Sequence, residues 1–420
     1  MPQRAPAPVD GTARIGQHGP LNLSSEAPLA ALVRERCPGV RLSRPTPDFG
    51  VDWILMLPRS AATAVQVHSA ARDQDGNVVV DVRDVPRLEQ FLSAPHRAML
   101  LGVEEGAEPR IYGLEARAVR RQLAERPYAG AVLSIPPAYE LDDLTYGVLW
   151  AASNLDDCLL ADDVGLTESH RKLGAYERLS SSEVTREIAG DLSGVSQAWL
   201  GSAFCARHIL RNFGRLGDLP LFWTREQRGE EACAWLLSAH KLAYLQATRR
   251  YMGSASMVRV FCVPERAVRD SPTFERILLF LAVALMEAYG VQVQVCTEPE
   301  YSDVEGFVLV PPRRAIVATW VRAESMWHVD TTARRPVLTE FAEASGHAAA
   351  HSVIAAPTVA GRLAAFADYL QLDGAWLSRR CAELARQGFD GLVRPRSRLL
   401  AVAGAEAACT CVGEVPIGAR

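Results

Sequence analysis

The sequence predicts an α/β protein in three parts: a mixed-sheet N-terminal domain, a helical middle segment and an α/β C-terminal domain. The chain has 420 residues, a length that suits two or three domains. Short strand-like runs alternate with helical stretches near both ends, whereas the residues in between carry apolar side chains at helical spacing. Hydrophobic residues make up 49% and charged residues 22% of the chain, which is typical of a globular protein.

The N-terminal domain is expected to span residues 28–141, after a disordered tail of residues 1–27 that offers few apolar side chains. The apolar pattern predicts the order helix, three strands, helix, two strands, helix and strand. The helices are expected at residues 28–37, 85–92 and 114–123. The strands are expected at residues 51–57, 64–68, 77–82, 98–103, 110–112 and 131–135. This order favours one mixed sheet covered by helices.

The middle segment, residues 142–251, is predicted to be almost wholly helical. Its apolar side chains recur at three- and four-residue spacing over residues 146–160, 196–213 and 232–248.

The C-terminal domain, residues 252–420, returns to alternating strands and helices. Its strands are expected at residues 257–263, 291–296, 306–310, 314–320 and 327–329. The helix between the first two strands is apolar nearly all round and should be buried, with Ser271 as its cap and Pro272 in its first turn. Further helices are expected around residues 337–345, 359–370 and 375–387.

Charge and cysteine usage restrict the class of protein. The net charge of −4 gives no overall basic field, so nucleic-acid binding is possible but not indicated. Lysine and arginine together number 45, and only two of these are lysines, Lys172 and Lys241. This bias is typical of a GC-rich bacterial genome. Nine dispersed cysteines indicate a reducing cytoplasm, and the longest apolar run, residues 277–286, is too short to span a membrane.

Polar residues on a predicted hairpin of the N-terminal domain form a first candidate site. Asp52 enters one strand, and Gln66 and His68 lie two residues apart on the next strand, so they share one face. Glu35 belongs to the preceding helix. Acidic oxygens bind Mg²⁺, and a nearby basic group orients or activates water in metal-dependent nucleases. The alternative is an ordinary edge hairpin with polar side chains facing solvent.

The residues of this hairpin, Gly50-Val-Asp52 and Val65-Gln-Val-His-Ser69, resemble the PD-(D/E)xK restriction-endonuclease-like class, in which a bacterial subgroup has G-x-D followed by V-Q-V-K-S. The resemblance covers about residues 28–140 and implies an endonuclease-like fold. His68 stands where the family has its lysine, which implies a degenerate domain that acts as a scaffold. The alternative is an active Mg²⁺-dependent nuclease, with Asp52 binding the metal, Gln66 assisting and His68 replacing the lysine.

A second candidate site lies where Phe222 and Trp223 run into a segment of alternating charge that is expected to open a helix. Trp223, Arg225 and Glu226 would bind a small molecule or a partner by aromatic stacking and directed hydrogen bonds. The alternative is a helix N-terminus whose acidic residues interact with the helix dipole.

The C-terminal runs Arg259-Val-Phe-Cys-Val-Pro, Gly290-Val-Gln-Val-Gln-Val-Cys and Arg314-Ala-Ile-Val-Ala-Thr-Trp320 resemble a phospholipase-D-like half-domain. The stretch from about residue 144 to 412 is similar to the non-DNA-binding portion of a group of actinobacterial helix-turn-helix regulators. This resemblance implies ligand sensing or assembly. Phospholipase D enzymes need H-x-K-x-x-x-x-D, and the chain has only His240-Lys241. Trp320, Trp327 and Asp330 are further candidates for a ligand pocket.

These observations favour a non-catalytic, cytoplasmic regulatory or sensor protein of an actinobacterium, without a cofactor. We expect it to bind a small molecule or a protein partner, to form a homo-oligomer and to make no membrane contact; transcriptional control is one expected role. The alternative is the nuclease effector, for which Mg²⁺ would be the cofactor and Asp52, Gln66, His68 and Glu35 the catalytic residues. A third hypothesis is a biosynthetic protein built on the same scaffold.

Overall fold

The computed structural model describes residues 40–45, 51–56, 62–82, 84–93, 97–106, 108–125, 131–216, 220–253, 257–323, 326–415 and 417. They form a mixed α/β structure with two seven-stranded sheets. The predicted α/β class is therefore confirmed. The N-terminal tail, the helix predicted at residues 28–37 and its Glu35 lie outside the described residues.

The first sheet is built from the N-terminal part of the chain. Its strands are β1 (Arg41–Ser43), β2 (Trp53–Met56), β3 (Ala62–Arg72), β4 (Val78–Val82), β5 (Arg97–Glu104), β6 (Arg110–Glu115) and β7 (Ala131–Ile135), and its helices are α1 (Val85–Leu92) and α2 (Ala116–Glu125). β3 pairs antiparallel with β2 and β4 and parallel with β5. A parallel pair needs a crossover, which β4 and α1 provide. Asp84 caps α1 by accepting a hydrogen bond of 3.0 Å from the backbone N of Arg87.

The middle segment contains two strands as well as helices, which corrects the expectation of an almost wholly helical segment. Its elements are α3 (Asp143–Ala161), α4 (Asp163–Leu173), β8 (Ser182–Thr185), α5 (Gly194–Asn212), β9 (Leu221–Thr224), α6 (Gly229–Leu237) and α7 (Ala239–Met252). The helix expected at residues 232–248 is therefore two helices. They are separated at Ser238, which forms an isolated β-bridge with Leu400.

The C-terminal part supplies the rest of the second sheet and its helical cover. The strands are β10 (Met257–Cys262), β11 (Val291–Cys296), β12 (Phe307–Val310), β13 (Arg314–Thr319) and β14 (Met326–Thr332). The helices are α8 (Glu265–Arg269), α9 (Thr273–Ala288), α10 (Arg335–His351), α11 (Val359–Tyr369), α12 (Gly374–Gln387) and α13 (Ala403–Glu414).

The second sheet has the strand order β11-β10-β9-β12-β13-β14-β8. β9, β10 and β11 are parallel, and the remaining pairs are antiparallel. The crossover from β9 to β10 contains α6 and α7, and the crossover from β10 to β11 contains α8 and α9. β9 thus lies between β10 and β12 near the centre of the sheet, although the sequence placed it in the helical segment.

The two faces of the second sheet are covered differently. One face belongs to a large hydrophobic core that includes α9, whose residues from Ile277 to Glu287 are all buried, as the sequence predicted. The other face packs against α10 through a smaller cluster that contains Phe307 and Phe341. The predicted cap of α9 is wrong: Pro272 occupies the cap position, and the Ser271 hydroxyl has no hydrogen-bond partner among the described residues.

Buried ion pairs connect the first sheet to the helices that follow it. Arg97 on β5 donates to Asp156 on α3 at 2.8 Å, and the Asp156 side chain is fully buried. The same carboxylate accepts hydrogen bonds from the backbone of Arg396 and Ser397 at 2.9 and 2.6 Å. Among the described helices, none is long and apolar enough to cross a membrane.

Candidate ligand site

A buried ion pair lies between the second sheet and the helices of the middle segment. The Nζ atom of Lys241, on α7, is 2.7 Å from Oε1 of Glu226, and each side chain is only 4% exposed. The indole Nε1 of Trp235, on α6, donates a hydrogen bond of 3.0 Å to the same carboxylate oxygen. Glu226 therefore joins the two helices to the loop that follows β9.

Two tryptophan rings surround the ammonium group of Lys241. Its Nζ lies 3.9 Å from the ring centroid of Trp235 and 4.4 Å from that of Trp320. The negative potential of an aromatic face attracts a cation, and the attraction is stronger away from water. These contacts favour the charged form of Lys241. Burial has the opposite effect and lowers the pKa of the Lys241 ammonium. The Glu226 carboxylate in turn raises this pKa.

A second buried cation, Arg259, projects from the parallel strand β10 into the same region. Its Cζ lies 4.7 Å from the ring centroid of Phe222 and 4.9 Å from that of Trp235. Its Nη1 donates a hydrogen bond of 2.8 Å to Oγ1 of Thr224. The Nε atom is buried and has no hydrogen-bond partner among the described residues. A buried guanidinium donor without a partner is costly, so it marks a position that a ligand could satisfy.

These side chains line a cavity of about 60 Å³. We call it the cation–aromatic pocket and define it by Phe222, Glu226, Trp235, Lys241, Arg259 and Trp320. Side chains of α5, among them Ser202 and Cys205, close it on the helical side. Strand alternation places Phe222 and Thr224 on the face of β9 that points toward these helices.

The thiols and the tyrosine hydroxyl in and next to the pocket wall are uncharged at physiological pH. Burial raises the pKa of the Cys233 thiol, on the same helix as Trp235, to about 12. Burial also raises the pKa of the Cys205 thiol and of the Tyr244 hydroxyl above their usual ranges. A thiol is reactive as the thiolate, so the two cysteines do not offer a nucleophile. The buried part of the wall therefore carries two cations, Lys241 and Arg259, and one carboxylate, Glu226.

Four of the residues predicted from the sequence border this pocket, in different ways. Glu226 and Trp320 contribute their side chains to the cluster around Lys241. Arg225 lies at the edge, 10% exposed and 4.0 Å from Asp303, and burial lowers its pKa. Trp223 borders the cavity, but its ring is stacked on Phe307 at 5.7 Å in the cluster on the opposite face of the sheet.

The other two predicted pocket residues lie apart from it on β14. Trp327 is fully buried against α5, where a Cβ atom on Gly201 would come within 2.6 Å of its Nε1. Asp330 is half-buried and pairs across the sheet with Val317. Neither lines the cation–aromatic pocket.

Lys241, Trp235 and Arg259 were not predicted as parts of the site. The sequence carries a signal for two of them: Lys241 is one of only two lysines, and Arg259 interrupts an otherwise apolar strand run. A charged residue in a strand with both faces buried needs a specific environment. That environment comes from α6 and α7, which the strand pattern alone does not reveal.

The hairpin residues of the first sheet are brought together as expected, but in a different chemical setting. Asp52 Oδ2 accepts a hydrogen bond of 2.8 Å from the backbone N of Val67, and Oδ1 accepts one of 2.9 Å from Nη2 of Arg87. Gln66 is buried, rather than facing solvent. Burial lowers the pKa of His68, an effect that the Asp52 carboxylate opposes, so the imidazole is neutral at physiological pH.

This setting does not fit a Mg²⁺ ion. Both oxygens of Asp52 are engaged by protein donors, and a neutral imidazole is a poor ligand for a cation that prefers oxygen. In the described part of the chain, no group of three or more histidine, cysteine, aspartate or glutamate side chains could hold a metal ion.

A larger cleft of about 870 Å³ separates the first sheet from α12. Its buried charges pair with one another: Arg380 Nε is 2.6 Å from Asp142 Oδ2. At its rim, Arg72 Nε is 2.9 Å from Glu104 Oε1. Of the predicted site residues that the structure describes, none lines this cleft.

In comparisons with known proteins, no protein-family model, curated protein or solved structure matches this chain.

Proposed function

We propose that the protein is a non-catalytic sensor that binds a small molecule in the cation–aromatic pocket. The observation that carries the proposal is the buried cluster of Lys241, Glu226 and Arg259 around a cavity walled by aromatic rings. Small-molecule sites combine apolar and aromatic walls with a few converging polar groups, and perturbed pKa values are frequent there.

The helices that carry pocket residues also pack against other helices of the core. α6, which carries Trp235, packs against α9 and α13, and α7, which carries Lys241, packs against α5. A ligand that contacts both Trp235 and Lys241 would favour one arrangement of these helices over another. A change in helix packing is the coupling that a sensor requires.

We further propose that the first sheet is a degenerate restriction-endonuclease-like scaffold and the second a phospholipase-D-like sensor unit of an actinobacterial regulator. The β2–β3 hairpin with Asp52 beside Val67 supports the first part, and the parallel strands β9, β10 and β11 with helical crossovers support the second. The described cysteines are free thiols, which supports a cytoplasmic location.

The two lysines of the chain offer a matched test. The protein is purified under native conditions without added ligand, denatured, and the released small molecules are identified by mass spectrometry. Wild type is compared with Lys241→Met and with Lys172→Met, whose lysine lies on the surface at 50% exposure. We expect a compound that is retained by wild type and by Lys172→Met and is depleted in Lys241→Met.

Folding is checked by far-ultraviolet circular dichroism, and Trp320→Ala serves as the second variant if Lys241→Met does not fold. Recovery of the same compound from wild type and from the folded pocket variants would contradict the proposal. If wild type releases no compound and instead turns over a substrate in a reaction that requires Lys241, the protein is an enzyme and not a sensor.

A further inference from the structure

We infer that the ligand of the cation–aromatic pocket is a small organic anion whose carboxylate pairs with Arg259. The inference rests on the proposed function and adds the charge of the ligand and the residue that recognises it. Its starting point is the imbalance between two buried cations and one buried carboxylate in the pocket wall.

The carboxylate of Glu226 is already committed to other donors. Its Oε1 accepts from Lys241 Nζ at 2.7 Å and from Trp235 Nε1 at 3.0 Å. Arg259 forms no ion pair within 4.0 Å with any carboxylate of the described residues, and the residue is only 5% exposed. A buried charge without a counter-charge is strongly unfavourable, so a negatively charged ligand would be favoured there over a neutral one.

The acidic groups outside the pocket do not supply this counter-charge. Glu231 lies 3.6 Å from Arg322, and Asp303 lies 4.0 Å from Arg225, so each of them already has a cationic partner. The thiols of Cys205 and Cys233 are protonated because burial raises their pKa values. The positive charge of Arg259 therefore remains without a counter-charge in the pocket.

The geometry of Arg259 favours a planar acceptor. The guanidinium is held by the rings of Phe222 and Trp235 and by the Nη1 hydrogen bond to Thr224, so it is fixed before a ligand arrives. The unpartnered Nε lies on an edge of the guanidinium group. Carboxylates bind such an edge through charge-assisted hydrogen bonds.

The size of the cavity selects the kind of anion. About 60 Å³ accommodates a group of a few heavy atoms, such as a carboxylate. The rest of a larger ligand would extend past the half-exposed Trp320 and the edge residue Arg225. The pocket is thus built for the acidic end of a small molecule.

Acetate and acetamide are matched probes, because they have nearly the same shape and differ in charge. Binding of each to the full-length wild-type protein is measured by isothermal titration calorimetry and by the shift in thermal midpoint, in a buffer free of carboxylates. Sodium chloride keeps the ionic strength constant, so chloride competes equally in every titration. We expect acetate to bind at millimolar concentration and acetamide to bind at least about tenfold more weakly.

The variants assign the effect to Arg259. Arg259→Gln is expected to weaken acetate binding at least about tenfold and to remove the preference over acetamide. Arg266→Gln, which alters an arginine that is 83% exposed on α8, should bind acetate as wild type does. If Arg259→Gln does not fold, Arg259→Lys keeps the charge but lacks the Nε donor, and it should also bind acetate more weakly.

Three outcomes would overturn the inference: no acetate binding to wild type, equal binding of acetate and acetamide, or acetate binding that is unchanged in the folded Arg259 variant. The proposed function can fail separately. A neutral compound that co-purifies in a Lys241-dependent manner would support the sensor and contradict the anion. Acetate binding through Arg259 without any Lys241-dependent compound would support the anion site and leave the sensor contradicted.

Discussion

Asp142 and Arg380 lie 238 positions apart in the chain, and their side chains meet in a hydrogen bond of 2.6 Å between Nε of Arg380 and Oδ2 of Asp142. The other oxygen of Asp142 accepts hydrogen bonds from the backbone N atoms of Leu144 and Thr145 and so caps α3. Arg380 also donates to the carbonyl oxygen of Ala138 at 3.0 Å. One carboxylate therefore starts α3 and holds α12 against the segment that follows the first sheet.

Removing Arg380 should destabilise the fold strongly. Arg380→Ala leaves the buried Asp142 carboxylate without its cation, and we expect a loss of about 3–5 kcal/mol in the free energy of unfolding, measured by urea titration. The matched control is Arg171→Ala, which breaks an exposed pair with Glu168 and should cost less than about 1 kcal/mol. Equal losses of unfolding free energy in the two variants would show that the buried pair does not stabilise the fold more than an exposed one.

The ion pair in the cation–aromatic pocket should show strong coupling. Glu226→Gln leaves two cations without a carboxylate, and Lys241→Met leaves a buried carboxylate without its ammonium, so each should cost about 3–5 kcal/mol. The double variant should lose less than the sum of the two by about 0.5–3 kcal/mol. The double-mutant cycle is measured by urea unfolding at pH 7.5, and strictly additive losses would contradict the assigned contact.

His240, next to Lys241, should make the protein sensitive to acid. Burial lowers the pKa of this imidazole from 6.5 to about 3 in the folded chain. Between these values the unfolded chain binds the proton and the folded chain does not, so stability falls as the pH drops below about 6.5. From pH 6.5 to 5, this single group should account for about 2 kcal/mol.

The measurement is the free energy of unfolding of wild type and His240→Gln at both pH values. The wild type should lose more stability on acidification than the variant does. His351→Gln is the control, because His351 is exposed on α10 and its replacement should leave the wild-type difference in place. An identical pH response of wild type and His240→Gln would remove His240 as the cause.

A methyl group at Gly201 should be destabilising because of its contact with Trp327. An added Cβ would lie 2.6 Å from the indole Nε1, so the tightly packed helix and strand would have to separate. We expect Gly201→Ala to lose about 1–3 kcal/mol. Gly194→Ala, in the first turn of the same helix, meets nothing within 4 Å and should leave stability unchanged or slightly higher. Similar unfolding midpoints for the two variants would be the contrary result.

Asp52 should have no role in metal-dependent cleavage. Supercoiled plasmid and single-stranded RNA are incubated with wild type and with Asp52→Ala, each with Mg²⁺ or Mn²⁺. We expect no cleavage by either protein, because Arg87 and the backbone N of Val67 occupy the Asp52 carboxylate. Cleavage by wild type that is lost in Asp52→Ala would establish the nuclease alternative.

The sequence predicted long, strongly periodic elements best. The helices expected at residues 196–213 and 375–387 closely match α5 and α12. The strands β8 and β9 were missed because each is short and lies in a segment whose long apolar runs have helical spacing. For β9, the sheet position between β10 and β12 determines its conformation, and that is a property of distant residues.

The candidate site was predicted in part for a similar reason. Glu226 was recognised because aromatic and charged residues lie beside it in the sequence. Trp320 was recognised at the end of a run that resembles a phospholipase-D-like half-domain. Lys241 and Arg259 are unusual in the sequence, but that they are buried together is visible only in the structure. Periodicity describes one element at a time, so it does not identify charges that meet across several elements.

The placement of β9 has a practical consequence for dividing the protein into fragments. An expression fragment that begins at residue 252 would contain β10 and β12 but not the strand that joins them, and its sheet would be split in two. It would also lack β8, the edge strand that pairs with β14. A fragment that keeps this sheet whole therefore has to start before residue 182, far upstream of the point where the pattern of helices and strands changes.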